Sequence, residues 1–507
     1  MTVKREYGDY QTPLDFAQKV CTYLKNCRNI KPSAIIEPTC GIGNFLKSSL
    51  IFQADEYYGI EINSEYCEMC KKFVNSDRVK IINSDFFSFS SRSLIKNKRQ
   101  ILVIGNPPWV TNSTLSALDS NNMPVKANFK NLKGIEALTG ASNFDICEYM
   151  ILQLLSEYRD TNAVISMLCK TSVARNVFKE MKRNGIDFES CDVLEFDASK
   201  IFGINASACV LIIRLSDKPN SSDICSVYDF SHPETVKSRF GYSNGQFYSN
   251  LDSNTESFDG QCCFEWRQGV KHDCSKVMEL TVQDGVFHNG KKEIVQIEDD
   301  IVFPLIKSSM FKTPIIHNFC KYVIVTQKKA REETGHLQRE VPKTWEYLNE
   351  NRSLFEGRKS SIYRGVPPFS MFGVGDYSYS KYKVGVSGFY KQPLFSVLYS
   401  DDGKPVMTDD TSYFICFDHY DMAYIAMLLL NSNKVQCFLS SIAFKDAKRP
   451  FTKKVLERLD FDKIVDSLDI NELIITEHEL KLPNYVTFEM YERFKLLIDV
   501  GQMRLFA

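Results

Sequence analysis

Apolar residues in the first 215 positions gather in short runs, with helix-patterned stretches before and between them. The runs are AIIEPTC (34–40), YYGIEIN (57–63), VKIINSD (79–85), ILVIGN (101–106) and AVISMLC (163–169), all rich in Ile and Val. PLDFAQKVCTYL and FDICEYMILQLLSEY instead repeat their apolar positions every three or four residues. Continuous apolar runs spaced by helices predict βαβ units and a mostly parallel sheet covered on both faces. DVLEFDAS and ACVLIIRLS, joined by KIFGINAS, predict an antiparallel hairpin at the sheet edge.

The pattern changes after RLSDKPNSSD (214–223). Polar, Gly- and Ser-bearing sequence continues to about residue 260 and reads as a linker. Beyond it the chain is rich in Tyr, Phe and Lys. YKVGVSGFY and PLFSVLYS predict strands there, and YDMAYIAMLLLNSN and TKKVLERLDFDKI predict helices. The expected organisation is an α/β domain over 1–220, a connection over 221–260 and an α+β domain over 261–507.

Composition narrows the class. With 44% hydrophobic and 25% charged residues the chain is ordinary for a globular protein. MTVKREYGDYQTP has no apolar leader core, and no apolar run reaches spanning length, so a cytoplasmic protein away from membranes is expected. The 16 cysteines follow no disulfide spacing. Cys67-x-x-Cys70 and the loose set Cys262, Cys263, His272 and Cys274 lack paired zinc-ligand spacing, so buried thiols and no metal are expected. Net charge is −1, yet residues 301–460 hold 23 Lys and Arg against 16 Asp and Glu. A basic C-terminal half beside an acidic N-terminal one permits nucleic-acid contact.

The candidate chemistry sits where the predicted strands end. The first run leads into Glu37-Pro38-Thr39-Cys40-Gly41-Ile42-Gly43, a turn whose glycines admit a ligand close to the backbone. A dinucleotide fingerprint would need a third glycine where Leu46 stands. The second run ends at Glu61, suited to ribose hydroxyls, and the third at Asp85-Phe86, an acceptor beside a flat apolar wall for a purine. Three such ends in succession suggest an adenosine-bearing cofactor. The fourth delivers Asn106-Pro107-Pro108-Trp109. The prolines end the strand in a fixed, extended turn. The Asn106 side chain and the Pro107 carbonyl can accept both protons of one amino group, and Trp109 offers a stacking face for a planar substrate.

YGDYQTP with Thr12, EPTCGIG, Glu61, SDFF and NPPW, in this order, resemble the motif set of the gamma-type DNA adenine-N6 methyltransferases of restriction–modification systems. The resemblance continues through SNFDICEYM and FGINASA, over about the first 215 residues. It implies a Rossmann-like methyltransferase domain that binds S-adenosylmethionine. Thr12 would touch the methionine carboxylate, Glu37, Pro38, Thr39, Cys40 and Gly41 the methionine moiety, Glu61 the ribose, and Asp85 and Phe86 the adenine. The target adenine would be flipped from duplex DNA. There Asn106 and Pro107 would orient N6, while Trp109 and Phe202 would wall the base. Tyr is commoner at the last motif position, and Trp109 keeps the stacking surface.

By the same resemblance the second half is a DNA target-recognition domain, with Lys, Arg and Tyr interleaved from Lys359 to Lys391 for phosphate and base contacts. The stretch 111–142, with Lys126, Lys130 and Lys133, is expected to close over DNA. No nuclease pattern is present, so a cognate restriction endonuclease is expected as a separate chain. Methylation of ribosomal RNA or of a protein glutamine, or an inactive DNA-specificity protein, stay open as alternatives.

Overall fold

The computed structural model describes residues 11–94, 100–110, 145–219, 221–253 and 258–505, with side chains to residue 499. The stretch 111–142 and its three lysines lie outside the described residues. The chain divides into two compact units, Met1–Asp252 and Ser253–Ala507.

The first unit is built on one ten-stranded sheet. Its strands are β1 (Ala34–Glu37), β2 (Glu56–Glu61), β3 (Val79–Asn83), β4 (Ile101–Gly105), β5 (Val164–Lys170), β6 (Phe188–Asp197), β7 (Ser207–Leu215), β8 (Ile224–Asp229), β9 (His232–Ser243) and β10 (Gln246–Tyr248). They lie in the order β10-β9-β8-β6-β7-β5-β4-β1-β2-β3. The segment from β3 to β5 is parallel, and β7 runs antiparallel to both β5 and β6. Every residue of β1 and β4 is buried, which is why these strands read as continuous apolar runs. The helices are α1 (Leu14–Asn26), α2 (Asn44–Ser49), α3 (Ser64–Val74), α4 (Ile146–Glu157), α5 (Thr171–Arg183) and α6 (Ala198–Phe202). This is the expected Rossmann-like architecture. After β1 the chain builds outward through β2 and β3, then returns to place β4 on the other side of β1. The order reverses at the β1–β4 pair, where an open α/β sheet leaves a crevice at its carboxyl edge.

One expectation is corrected. The 221–260 stretch is not an irregular linker, because β8, β9 and β10 carry the sheet beyond the β6–β7 hairpin. In β9 the sequence HPETVKSRFGYS leaves most side chains exposed or half-exposed. A strand with so few buried positions lacks the apolar run that marks its neighbours.

The second unit holds a five-stranded sheet and a six-stranded one. The first joins β11 (Arg267–Gln268), β21 (Ser412–Phe417), β18 (Tyr382–Ser387), β19 (Ser396–Leu398) and β16 (Ile315–Ile316). The other joins β14 (Ile294–Val295), β13 (Val286–Asn289), β12 (Glu279–Gln283), β17 (Lys321–Ile324), β15 (Val302–Ile306) and β20 (Met407–Thr408). The helix Tyr420–Asn431 is buried along nearly its whole length. The single helix expected from TKKVLERLDFDKI is two, Lys453–Leu456 and Phe461–Ser467. Asp460 breaks it by accepting from the Asp462 and Lys463 amides as an N-cap.

Candidate functional site

The carboxyl edge of β1, β2 and β4 brings the predicted polar residues together through specific hydrogen bonds. Gly41 and Gly43 turn the chain from β1 into α2 with φ of 51° and 90°. A side chain at Gly43 would be strained, and its Cβ would lie 2.4 Å from Cys70 Sγ. The Gly41 amide donates to Glu61 Oε2 at 2.9 Å, and the Asn63 amide donates to Glu61 Oε1 at 2.8 Å. The glycine turn and the end of β2 are thus tied by one carboxylate. Thr39 Oγ1 donates to the Asn106 backbone carbonyl at 3.5 Å, which links the turn to the end of β4.

Glu37 lies beneath this turn, 3% exposed, and its Oε2 accepts from the Leu46 amide at 3.0 Å. Burial, reinforced by Cys70, holds its carboxyl well above the usual carboxylate range. A group whose pKa is raised in the folded state stabilises the fold at pH values below the ordinary carboxylate range. That contribution is lost as pH rises through the folded-state pKa. Glu37→Gln should therefore melt at an increasingly higher temperature than the parent chain between pH 5 and pH 8. Thermal melts of both proteins across that range check this; a constant difference would contradict it.

Thr12 is 5% exposed ahead of α1, and its carbonyl accepts from Asn44 Nδ2 at 2.6 Å. Its Oγ1 is buried without a hydrogen-bond partner among the described residues. Such a hydroxyl, a buried carboxyl at Glu37 and a glycine turn covered by the Gln11 side chain, which accepts from the Ile42 amide at 3.4 Å, form a polar set suited to a zwitterionic ligand. Pro38 and Cys40 are buried within the turn. A hydrogen bond with Cys70, together with burial, keeps the Cys40 thiol protonated, so it is no nucleophile.

Asp85 is exposed at the end of β3 and accepts from the Phe87 amide at 3.0 Å, while Phe86 is 7% exposed. Asn83 Nδ2 donates to the Glu61 and Ile62 carbonyls, each at 2.9 Å, and so holds the β2 and β3 ends together. Sequence reasoning passed over Asn83 and its neighbour Ile62. Ile62 is 56% exposed directly after the acidic strand end, and an apolar side chain after a strand-terminal Glu is the signal that could have marked it.

Asn106 is half-buried, Pro107 buried and Pro108 half-buried. Trp109 is 9% exposed, and its Nε1 has no partner among the described residues. Its ring meets Phe202 edge-to-face, with centroids 5.6 Å apart and planes at 64°. The α6 turn that presents Phe202 is started by Asp197, which accepts from the Ser199 amide, and ended by Gly203 at φ 69°. Phe16 and Phe196 back Phe202, at 6.5 and 6.2 Å. At the end of β5, Lys170 pairs with Asp145 at 2.7 Å, and Asp145 also caps α4.

In the second unit the interleaved basic segment is not uniformly exposed. Lys359, Arg364, Lys381 and Lys391 face outward, but Lys383 is 1% exposed and donates to the Ser378 and Ser380 carbonyls. Burial pulls its ammonium down to about 8, so Lys383 is a structural residue rather than a phosphate contact.

No family model matches the chain. It is 39% identical over 469 residues to the type II methyltransferase M.NspV of a Nostoc species, covering 90% of this chain and 97% of that protein. It is 22% identical over 217 residues to the modification methylase CviBIII of Paramecium bursaria Chlorella virus NC1A, covering 42% of this chain and 51% of that protein. Among solved structures, the type IIL restriction–modification enzyme MmeI in complex with DNA aligns with a TM-score of 0.50 at 12% identity. That alignment covers 97% of this chain and 77% of MmeI, and it supports the fold.

Proposed function

The chain belongs to the type II methyltransferases, and from that premise we propose that it methylates the N6 amino group of a specific adenine in duplex DNA. The donor in this reading is S-adenosylmethionine, and the enzyme serves as the modification arm of a restriction–modification system whose endonuclease is another chain. The observation that carries the reading is the convergence of Glu37, the Gly41 turn, Glu61 and Asn106 at one sheet edge through the bonds described above.

The residues present fit the cofactor. The buried Thr12 hydroxyl would take its carboxylate, Glu37 its ammonium, Glu61 the ribose, and Asp85 with Phe86 the adenine. When bound, S-adenosylmethionine supplies an electrophilic methyl group on a sulfonium. The rest of the work falls to this chain. A base inside the stack cannot present N6, so it must be flipped into the site. The Asn106 side-chain oxygen and the Pro107 carbonyl accept the two N6 protons. That draws the nitrogen lone pair out of conjugation with the ring and aims it. Trp109 supplies the stacking face. Most of the acceleration is positional, and no covalent enzyme intermediate is required.

The reading is tested by offering the full chain and radiolabelled S-adenosylmethionine duplex DNA, ribosomal RNA and mixed protein in parallel. Label is expected in DNA alone. Label in RNA or protein instead of DNA would overturn the substrate class.

A further inference from the structure

We propose that two loops of the second unit, 326–334 and 358–372, are stapled together to form its DNA-facing surface; this rests on reading the chain as a DNA methyltransferase. The staple is a set of buried polar side chains. Thr326, Gln327 and Thr334 are 1%, 2% and 0% exposed, and each binds the other loop. Thr326 Oγ1 donates to the Phe369 carbonyl at 2.8 Å, and Thr334 Oγ1 donates to the Pro368 carbonyl at 2.6 Å. Gln327 Oε1 accepts from the Met371 amide at 2.8 Å, while its Nε2 donates to the Glu332 carbonyl at 2.5 Å within its own loop. The Arg358 guanidinium donates to the Ser370 carbonyl at 2.7 Å and lies 3.7 Å from the Tyr363 ring centre.

Between these anchors the two loops present five exposed cations. The first loop presents Lys328, Lys329 and Arg331, and the second Lys359 and Arg364 beside the 39%-exposed Ile362. None of the five is in an ion pair with a described carboxylate. Elsewhere in this unit Lys271, Lys307, Lys404 and Arg458 pair with Asp273, Glu279, Asp299 and Asp259. Glu332, the acid nearest in sequence, has its carboxylate turned to the Lys328 and Lys329 amides at 2.5 and 3.1 Å. Glu333 is the exposed acid in the first loop.

Two further features favour a held shape over a solvated coil. Arg331 and Phe369, one in each loop, sit at φ of 65° and 60°, a region that side chains other than glycine rarely adopt. Phe369 is fully buried against Trp345 and Phe355. A backbone held in this way loses little loop freedom when the cations it carries meet a polyanion. Lysines suit the phosphates, and the forked guanidinium groups of Arg331 and Arg364 suit base edges in a groove.

The test uses the full chain. A variant carrying Lys328→Ala, Lys329→Ala and Arg331→Ala should lower the slope of log affinity for duplex DNA against log salt by about 2 to 3. It should raise KM for DNA while leaving kcat and S-adenosylmethionine affinity unchanged. A control removing Lys276, Lys292 and Lys312, exposed elsewhere in the unit, should leave the slope near the parent's. Arg364→Ala should weaken discrimination between DNA sequences. An unchanged slope and KM in the first variant, or an equal drop in the control, would overturn the loop assignment while methylation by the parent continued. Failure of the parent to methylate DNA would instead remove the reading on which the assignment rests.

Discussion

Asn106→Ala should transfer methyl groups to DNA on the order of 10² to 10³ times more slowly than the parent chain, with unchanged affinity for S-adenosylmethionine. The size follows from what is lost. In the proposed mechanism, removing the side-chain oxygen takes away one of the two acceptors assigned to N6 and leaves that nitrogen free to conjugate with its ring. The separation of rate from cofactor binding follows from the geometry. Thr39 bonds the Asn106 backbone carbonyl, which alanine keeps, and the Gly41–Glu61 tie does not involve Asn106. Single-turnover kinetics and calorimetry on the folded variant separate the two. Parent-like transfer from a folded variant would remove Asn106 from the mechanism.

The second large effect is expected at Trp109. Stacking one base on an aromatic side chain is worth roughly 1–3 kcal/mol, so Trp109→Ala should lose between about fivefold and about 150-fold in kcat/KM for DNA. Trp109→Phe should recover most of it, because a flat apolar face is what the base requires. In the structure the Trp109 and Phe202 rings meet edge-to-face at 5.6 Å. A base held between two flat walls needs them about 7 Å apart, two van der Waals contacts deep. The proposed base entry therefore requires one ring to swing aside. Among the three tryptophans, Trp109 alone belongs to the first unit, while Trp266 and Trp345 belong to the second. In a chain whose other two tryptophans are replaced by Phe, fluorescence should change on binding DNA. Equal kinetics for the Ala and Phe variants, or a silent signal, would place the base elsewhere.

The strand ends of the first unit were legible because each of their cues is local. A parallel strand buried on both faces is a continuous apolar run, and the residue that ends it at the open edge is polar. Glu37, Glu61 and Asn106 were visible for that reason, while Asp85 follows a half-exposed edge strand and was visible from its place beside Phe86. Long-range pairing was not visible. β15 lies beside β20 through the register Leu305↔Met407, and no period in the sequence announces a partner a hundred positions away. β8 to β10 were hidden by their exposed positions, and the break at Asp460 by a cap inside a helix-patterned stretch. Lys383 misled in another way. A lysine among tyrosines reads as surface, but backbone carbonyls at Ser378 and Ser380 satisfy its ammonium inside the unit.

Nucleoside mass spectrometry of duplex DNA treated with the chain and S-adenosylmethionine identifies the modified atom directly. N6-methyladenine is expected as the modified nucleoside, strongly reduced in the Asn106→Ala reaction. N4-methylcytosine or 5-methylcytosine in its place, or DNA left unmodified by a chain that binds the cofactor, would contradict it.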